Sequence, residues 1–138
     1  MVYVDTSGVL AYLDGDDVHH AKARDAWDRV LSIETELIMT DCVRLECWSL
    51  IQRRLGLAAV QDFYQNLLPL IEVWTVDELT FDHLCRQVLL SKRRKLSLVD
   101  VSSFDCMRKH NLQYALAFDR HFDEMGFSTP LNGTGDFI

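Results

Sequence analysis

Four short stretches govern what this chain can become: MVYVDT at residues 1–6, ELIMT at 36–40, IEVWTV at 71–76 and YALAF at 114–118. Each is apolar and largely β-branched or aromatic, and each is too short for a helix of its own, so each reads as a buried strand. Longer segments of helical pattern separate them. Strands that alternate with helices build a parallel sheet, because parallel neighbours need a crossover connection. The expected fold is therefore doubly wound α/β, in three α/β/α layers around a central, mostly parallel sheet of short strands. The first and last of these strands share a second property. Each stops on a bare aspartate, Asp5 at one end of the chain and Asp119 at the other.

The helical segments are expected over 7–14, 16–33, 41–56, 58–70, 78–95 and 97–111, with a turn and short helix in DRHFDEMGF. Thr6 or Ser7 suits the cap of the first, Thr40 or Asp41 the cap of the third, and Ser97 the start of the sixth. Gly56 stops the third helix and Pro69 breaks the fourth. STPLNGTGDFI reads as a last short strand and a loose end, so a single domain over 1–138 carries a tail of no assigned role after about residue 127.

In a doubly wound sheet, ligands sit beyond the carboxyl ends of the strands. Asp5 and Asp119 fall at such ends and would share one crevice if their strands lie side by side. Two further acids have unsuitable neighbours. Glu46 lies on a helix stripe with Val43 and Leu50, and Asp100 follows Leu98 and Val99 with Phe104 and Met107 on its face. An acid on an apolar stripe must reach water or serve something. Singly, each suits a cap or a solvated face. Together they form a set of carboxylates that cannot all stay ionised unless a cation neutralises them. Oxygen donors select Mg²⁺ or Mn²⁺, and an incomplete protein shell suits phosphodiester hydrolysis. Thr6 and Ser7 could orient Asp5 or only cap the helix. Asp123, four residues past Asp119, could share the fourth role, whereas Asp105 lies about 140° around the helix from Asp100.

A net charge of −7 argues against a simple electrostatic nucleic-acid binder. The basic residues are nonetheless clustered. Arg44 and Arg53 flank Glu46, and Lys92, Arg93, Arg94 and Lys95 form one run; all six are candidates for contacts to a phosphate backbone. Cys42, Cys47, Cys85 and Cys106 contain no CxxC pair and read as reduced thiols. Trp27, Trp48 and Trp74 read as core or interface aromatics. No apolar run reaches membrane-spanning length and no basic-then-apolar leader begins the chain, so the expected location is cytoplasmic.

The ordered set VYVDTS, TDCVRLECWSLIQRRLG, KLSLVDVSSFDCMRKHN and YALAFDRHF resembles PIN domains, particularly the VapC-type toxins of toxin–antitoxin pairs. The resemblance runs from the first residues to about position 127. It implies a parallel sheet flanked by helices and places the family's acidic cluster on Asp5, Glu46, Asp100 and Asp119. It further implies Mg²⁺- or Mn²⁺-dependent ribonuclease activity leaving a 5′-phosphate and a 3′-hydroxyl, homodimers, and inhibition by a cognate antitoxin. One departure stands out: the family usually has a hydroxyl residue two before the last acid, and here it is Ala117. That gap leaves open a catalytically weak or inactive PIN-like module that binds RNA or protein. Phosphoacceptor and haloacid-dehalogenase-type chemistry fit poorly, since DTS lacks a second strand-end acid and no lysine follows YALAF.

Overall fold

A computed structural model describes residues 1–133 and contains a four-stranded, wholly parallel sheet. The strands are β1 (Val2–Val4), β2 (Leu37–Thr40), β3 (Ile71–Trp74) and β4 (Ala115–Leu116), in the order β3-β2-β1-β4. The chain steps outward from β1 to β3 and then returns to pair β4 on the far side of β1. With right-handed crossovers, this reversal puts α1 (Thr6–Leu13) to α4 (Leu57–Asp62) on one face, with α2 (His20–Ser32) and α3 (Asp41–Leu55) between them. It puts α5 (Glu78–Ser91) and α6 (Leu98–Lys109) on the other. The expected three-layer architecture is present, and its topological switch point lies between β1 and β4, where Tyr3 pairs with Ala115 and Val4 with Leu116.

β1, β2 and β4 are buried at every position, hence their largely apolar character, whereas the edge strand β3 exposes Glu72. The core they share with the helices includes Trp27, Phe63, Phe104 and Phe122. One close approach fixes the layer spacing at the switch point. Gly8 in α1 lies so near β4 that a Cβ would collide with the Leu116 carbonyl oxygen, which is backbone and cannot swing away. Gly8→Ala should therefore cost about 3 kcal/mol, the upper end for overpacking. Thermal melting should register that as a fall in Tm of roughly 10 °C; an unchanged Tm would mean the layers can separate freely.

Several boundaries differ from the expectations, each for a local reason. The helix expected from residue 16 begins at His20, because Asp14 and Asp17 accept the backbone N–H groups of Asp16 and His19 in two Asx turns. The segment expected as one helix over 58–70 is α-helical only to Asp62, then widens into a π turn (Phe63–Leu67) and tightens into a 3₁₀ turn (Leu68–Leu70) that contains Pro69. The helix expected through 95 ends at Ser91, where Lys92 turns left-handed (φ 53°), so the basic run is an exposed turn and not a helix end. The last strand reduces to a single bridge between Tyr114 and Ser128. A short α7 (Arg120–Glu124) follows Asp119, and the part of the expected loose end beyond residue 133 lies outside the described residues.

Candidate active site

Asp5 leaves the carboxyl end of β1 and is buried. It caps α1 itself, in place of Thr6 or Ser7: its Oδ2 accepts from the Ser7 backbone N–H at 3.1 Å and from the Ser7 hydroxyl at 2.5 Å. The same hydroxyl accepts from the Phe118 N–H at 2.9 Å. Ser7 thus ties the end of β1 to the end of β4. It supplies from α1 a hydroxyl contact at the end of β4, where Ala117, the residue after the strand, has none to offer. The Thr6 hydroxyl is buried against the Cys47 thiol, a weak contact at best, and has no other hydrogen-bond partner.

Asp100 enters from the opposite layer. It is the third residue of α6 and closes a capping box, accepting the Ser97 N–H at 3.1 Å while its own N–H donates to the Ser97 hydroxyl at 3.0 Å. A buried polar lattice holds this end of α6 on the sheet. The Tyr3 hydroxyl donates to Ser103 at 2.6 Å, and the Thr40 and Ser102 hydroxyls lie 3.1 Å apart. Thr40 also caps α3, so one side chain anchors both the helix that carries Glu46 and the helix that carries Asp100.

Asp119 caps α7 through the His121 N–H at 2.9 Å. The cap turns the His121 ring back toward the acids. Its Nδ1 lies 3.1 Å from Asp100 Oδ2 and 3.3 Å from Asp119 Oδ1. Ligand atoms of Asp100, Asp119 and His121 all fall within 4.8 Å of one another. His121 was not among the residues expected from the sequence. Its signal was a histidine two places after a strand-end acid, in DRHF.

The electrostatics follow from the burial. Desolvation is the main influence on Asp5; the Ser7 hydrogen bonds oppose it, and the charges of Asp100 and Asp119 add to it, so the carboxyl is pushed up to about 7. Three acids from β1, α6 and the end of β4 therefore share one field. Glu46 is half-buried on α3, outside the Asp100–Asp119–His121 group; the Cys47 thiol beside it feels both Glu46 and Asp5, and burial pushes that thiol well above its ordinary range. Asp123 is occupied elsewhere, its Oδ1 accepting from Thr129 at 2.7 Å and Asn132 at 2.8 Å.

The basic candidates are exposed and dispersed. Arg44 lines a largely apolar groove of about 490 Å³ with Leu45, Trp48 and Tyr64, and Arg53 lies on the last turn of α3. Arg93 pairs with Glu124 of α7 at 2.9 Å, which ties the Lys92–Lys95 turn to the helix that begins at Asp119. All four cysteines are free thiols. Among the described residues no helix is long and apolar enough to cross a membrane.

A profile of PIN domains matches residues 2–128. This chain belongs to the PIN-domain family. A 23S rRNA-specific endonuclease, VapC20 of Mycobacterium tuberculosis, is 33% identical over 129 residues, spanning 92% of this chain and 95% of that protein; the versions from strains CDC 1551 / Oshkosh and ATCC 25618 / H37Rv match equally. The crystal structure of Mycobacterium tuberculosis VapC20, described as a sarcin–ricin loop cleaving toxin, superposes with a TM-score of 0.78 at 28% identity, covering 92% of this PIN domain and 96% of that chain.

Proposed function

We propose that this PIN domain is a divalent-metal-dependent endoribonuclease that acts as the toxin of a toxin–antitoxin pair. The observation that carries the reading is the grouping of Asp100, Asp119 and His121 at the switch point of the sheet, with the Asp5 carboxyl near enough to feel the charges of both acids. The donor set fits a hard divalent ion, Mg²⁺ or Mn²⁺. Carboxylate oxygens and one imidazole nitrogen are grouped closely enough to share an ion, and burial together with the charges of Asp100 and Asp119 holds the Asp5 carboxyl up at about 7, which a bound cation would reverse. Asp5, Asp100 and Asp119 would hold the ion, with Glu46 completing the set from α3. When bound, such an ion supplies positive charge against phosphate oxygens and acidifies water at the site.

The chain's own residues do the rest. Ser7 holds the Asp5 carboxylate in place through two hydrogen bonds, and Thr6 is buried beside Cys47. Asp123 steadies the turn that follows α7. The exposed Lys92, Arg94 and Lys95, with Arg44 and Arg53, are assigned to the RNA backbone, while Arg93 is held by Glu124 until substrate competes for it. The bridging hydroxyl of Ser7 weakens the case for an inert binding module, since that case rested on Ala117. Likeness to an rRNA endonuclease toxin supports RNA as substrate; a homodimer, a cognate antitoxin and a cytoplasmic site of action belong to the proposal as what the PIN-domain resemblance implies.

The test is cleavage of ribosomal RNA and of a structured RNA oligonucleotide by the purified protein, with Mg²⁺ or Mn²⁺ and with chelator. The expected result is metal-dependent endonucleolytic products with 5′-phosphate and 3′-hydroxyl ends. Cleavage that survives chelation, or products with cyclic phosphates, would contradict the proposal.

A further inference from the structure

We propose that His121 is itself a ligand to the ion, through Nδ1, and that this nitrogen tilts the site from Mg²⁺ toward Mn²⁺ and other transition-metal ions. The inference rests on the divalent-metal reading above and deepens it. Nδ1 lies within about the same reach of both carboxylates, 3.1 Å from Asp100 Oδ2 and 3.3 Å from Asp119 Oδ1. Ligand atoms of all three side chains lie within 4.8 Å of one another, close enough to share one ion. His121 points its nitrogen at the place the two oxygens share.

The backbone enforces this aim. Asp119 caps α7 by accepting the His121 N–H, so the ring is returned toward the very carboxylate that fixes its main chain. Asp100 is fixed from the other side by its capping box with Ser97. Little of the His121 side chain is exposed, 18%, against 37% for Asp119, so the ring covers the site and leaves Asp119 as its open side. To hold an ion there, the ring would offer its Nδ1 lone pair and keep its proton on Nε2.

The consequence concerns selectivity. Mg²⁺ favours oxygen donors and near-ideal octahedral geometry, whereas imidazole favours first-row transition ions. A site of carboxylates alone would discriminate little between Mg²⁺ and Mn²⁺. One with a nitrogen donor should hold Mn²⁺ more tightly.

Electron spin-echo spectroscopy of the full chain loaded with Mn²⁺ tests this directly, because a coordinated imidazole nitrogen imprints ¹⁴N modulation on the Mn²⁺ signal. The wild-type protein should show that modulation. His121→Gln should lose it and bind Mn²⁺ about tenfold or more weakly by calorimetry, with a smaller change for Mg²⁺. Bound Mn²⁺ without nitrogen modulation, or modulation that persists in His121→Gln, would overturn the role of His121 and leave the carboxylate site standing. No protein-bound Mn²⁺ at all would overturn both this inference and the metal reading beneath it.

Discussion

Asp100→Asn should lower metal-dependent RNA cleavage about a hundredfold or more while the protein keeps its fold. Residues that only support a metal ligand already cost ten- to a hundredfold when lost, so removal of a carboxylate that touches the ion should reach at least the upper end. The substitution is nearly isosteric. The asparagine carbonyl can still accept the Ser97 N–H, and the N–H that donates to the Ser97 hydroxyl is untouched. What disappears is one negative charge facing Asp5, Asp119 and His121. Asp119→Asn should behave alike, since its cap to the His121 N–H also survives as a carbonyl contact. Initial cleavage rates alongside thermal melting separate chemistry from folding. A variant of unchanged melting that cleaves at the wild-type rate would remove Asp100 from the site.

The second large effect lies in stability. In chelator, the melting temperature should rise as pH is lowered from about 8 to about 6. The Asp5 carboxyl ordinarily titrates at 3.8, and in the folded protein burial moves it to about 7. Between those values the folded state keeps a proton that the unfolded chain has released. Stability from this group therefore grows as pH falls through about 7 and is fully gained below about 3.8. One such group contributes about 1.4 kcal/mol between pH 8 and pH 6, or roughly 4 °C in Tm. Other groups titrate in the same range, so the informative quantity is the difference between wild type and Asp5→Asn, which should lack this slope. Saturating Mn²⁺ should also flatten the slope, because the ion favours the ionised carboxylate. Parallel curves for wild type and Asp5→Asn in chelator would show that Asp5 is ionised and at ease without a cation.

The two strand-end acids were legible because a short apolar run that halts on an aspartate has no packing reason to do so, and α/β topology then brings such ends together. Asp100 was legible as an acid on an apolar helix face, and it also proved to be half of a capping box, so one carboxylate both starts α6 and faces the candidate site. Glu46 was readable by the same stripe argument, yet its half-buried side chain stands apart from the tight group. His121 was not legible. Its helix has five residues, too few for periodicity to register, and its meaning comes from a contact with α6 across 21 positions. Ser7 was read either as a cap or as a residue that orients Asp5, and it does donate to Asp5; its bridge to Phe118 spans 111 positions, and no local pattern announces such a link. The Asx turns that delay α2 hid behind a run of residues with acceptable helical spacing, because local side-chain acceptors competed with the helix for the same N–H groups.

One diffraction measurement bears most directly on whether these acids converge on an ion. Crystals soaked in Mn²⁺ and measured at the manganese absorption edge should show anomalous density between Asp100 and Asp119, within coordinating distance of both and on the side faced by Asp5. Full soaking that yields manganese only at unrelated surface carboxylates, with that space empty, would contradict the account.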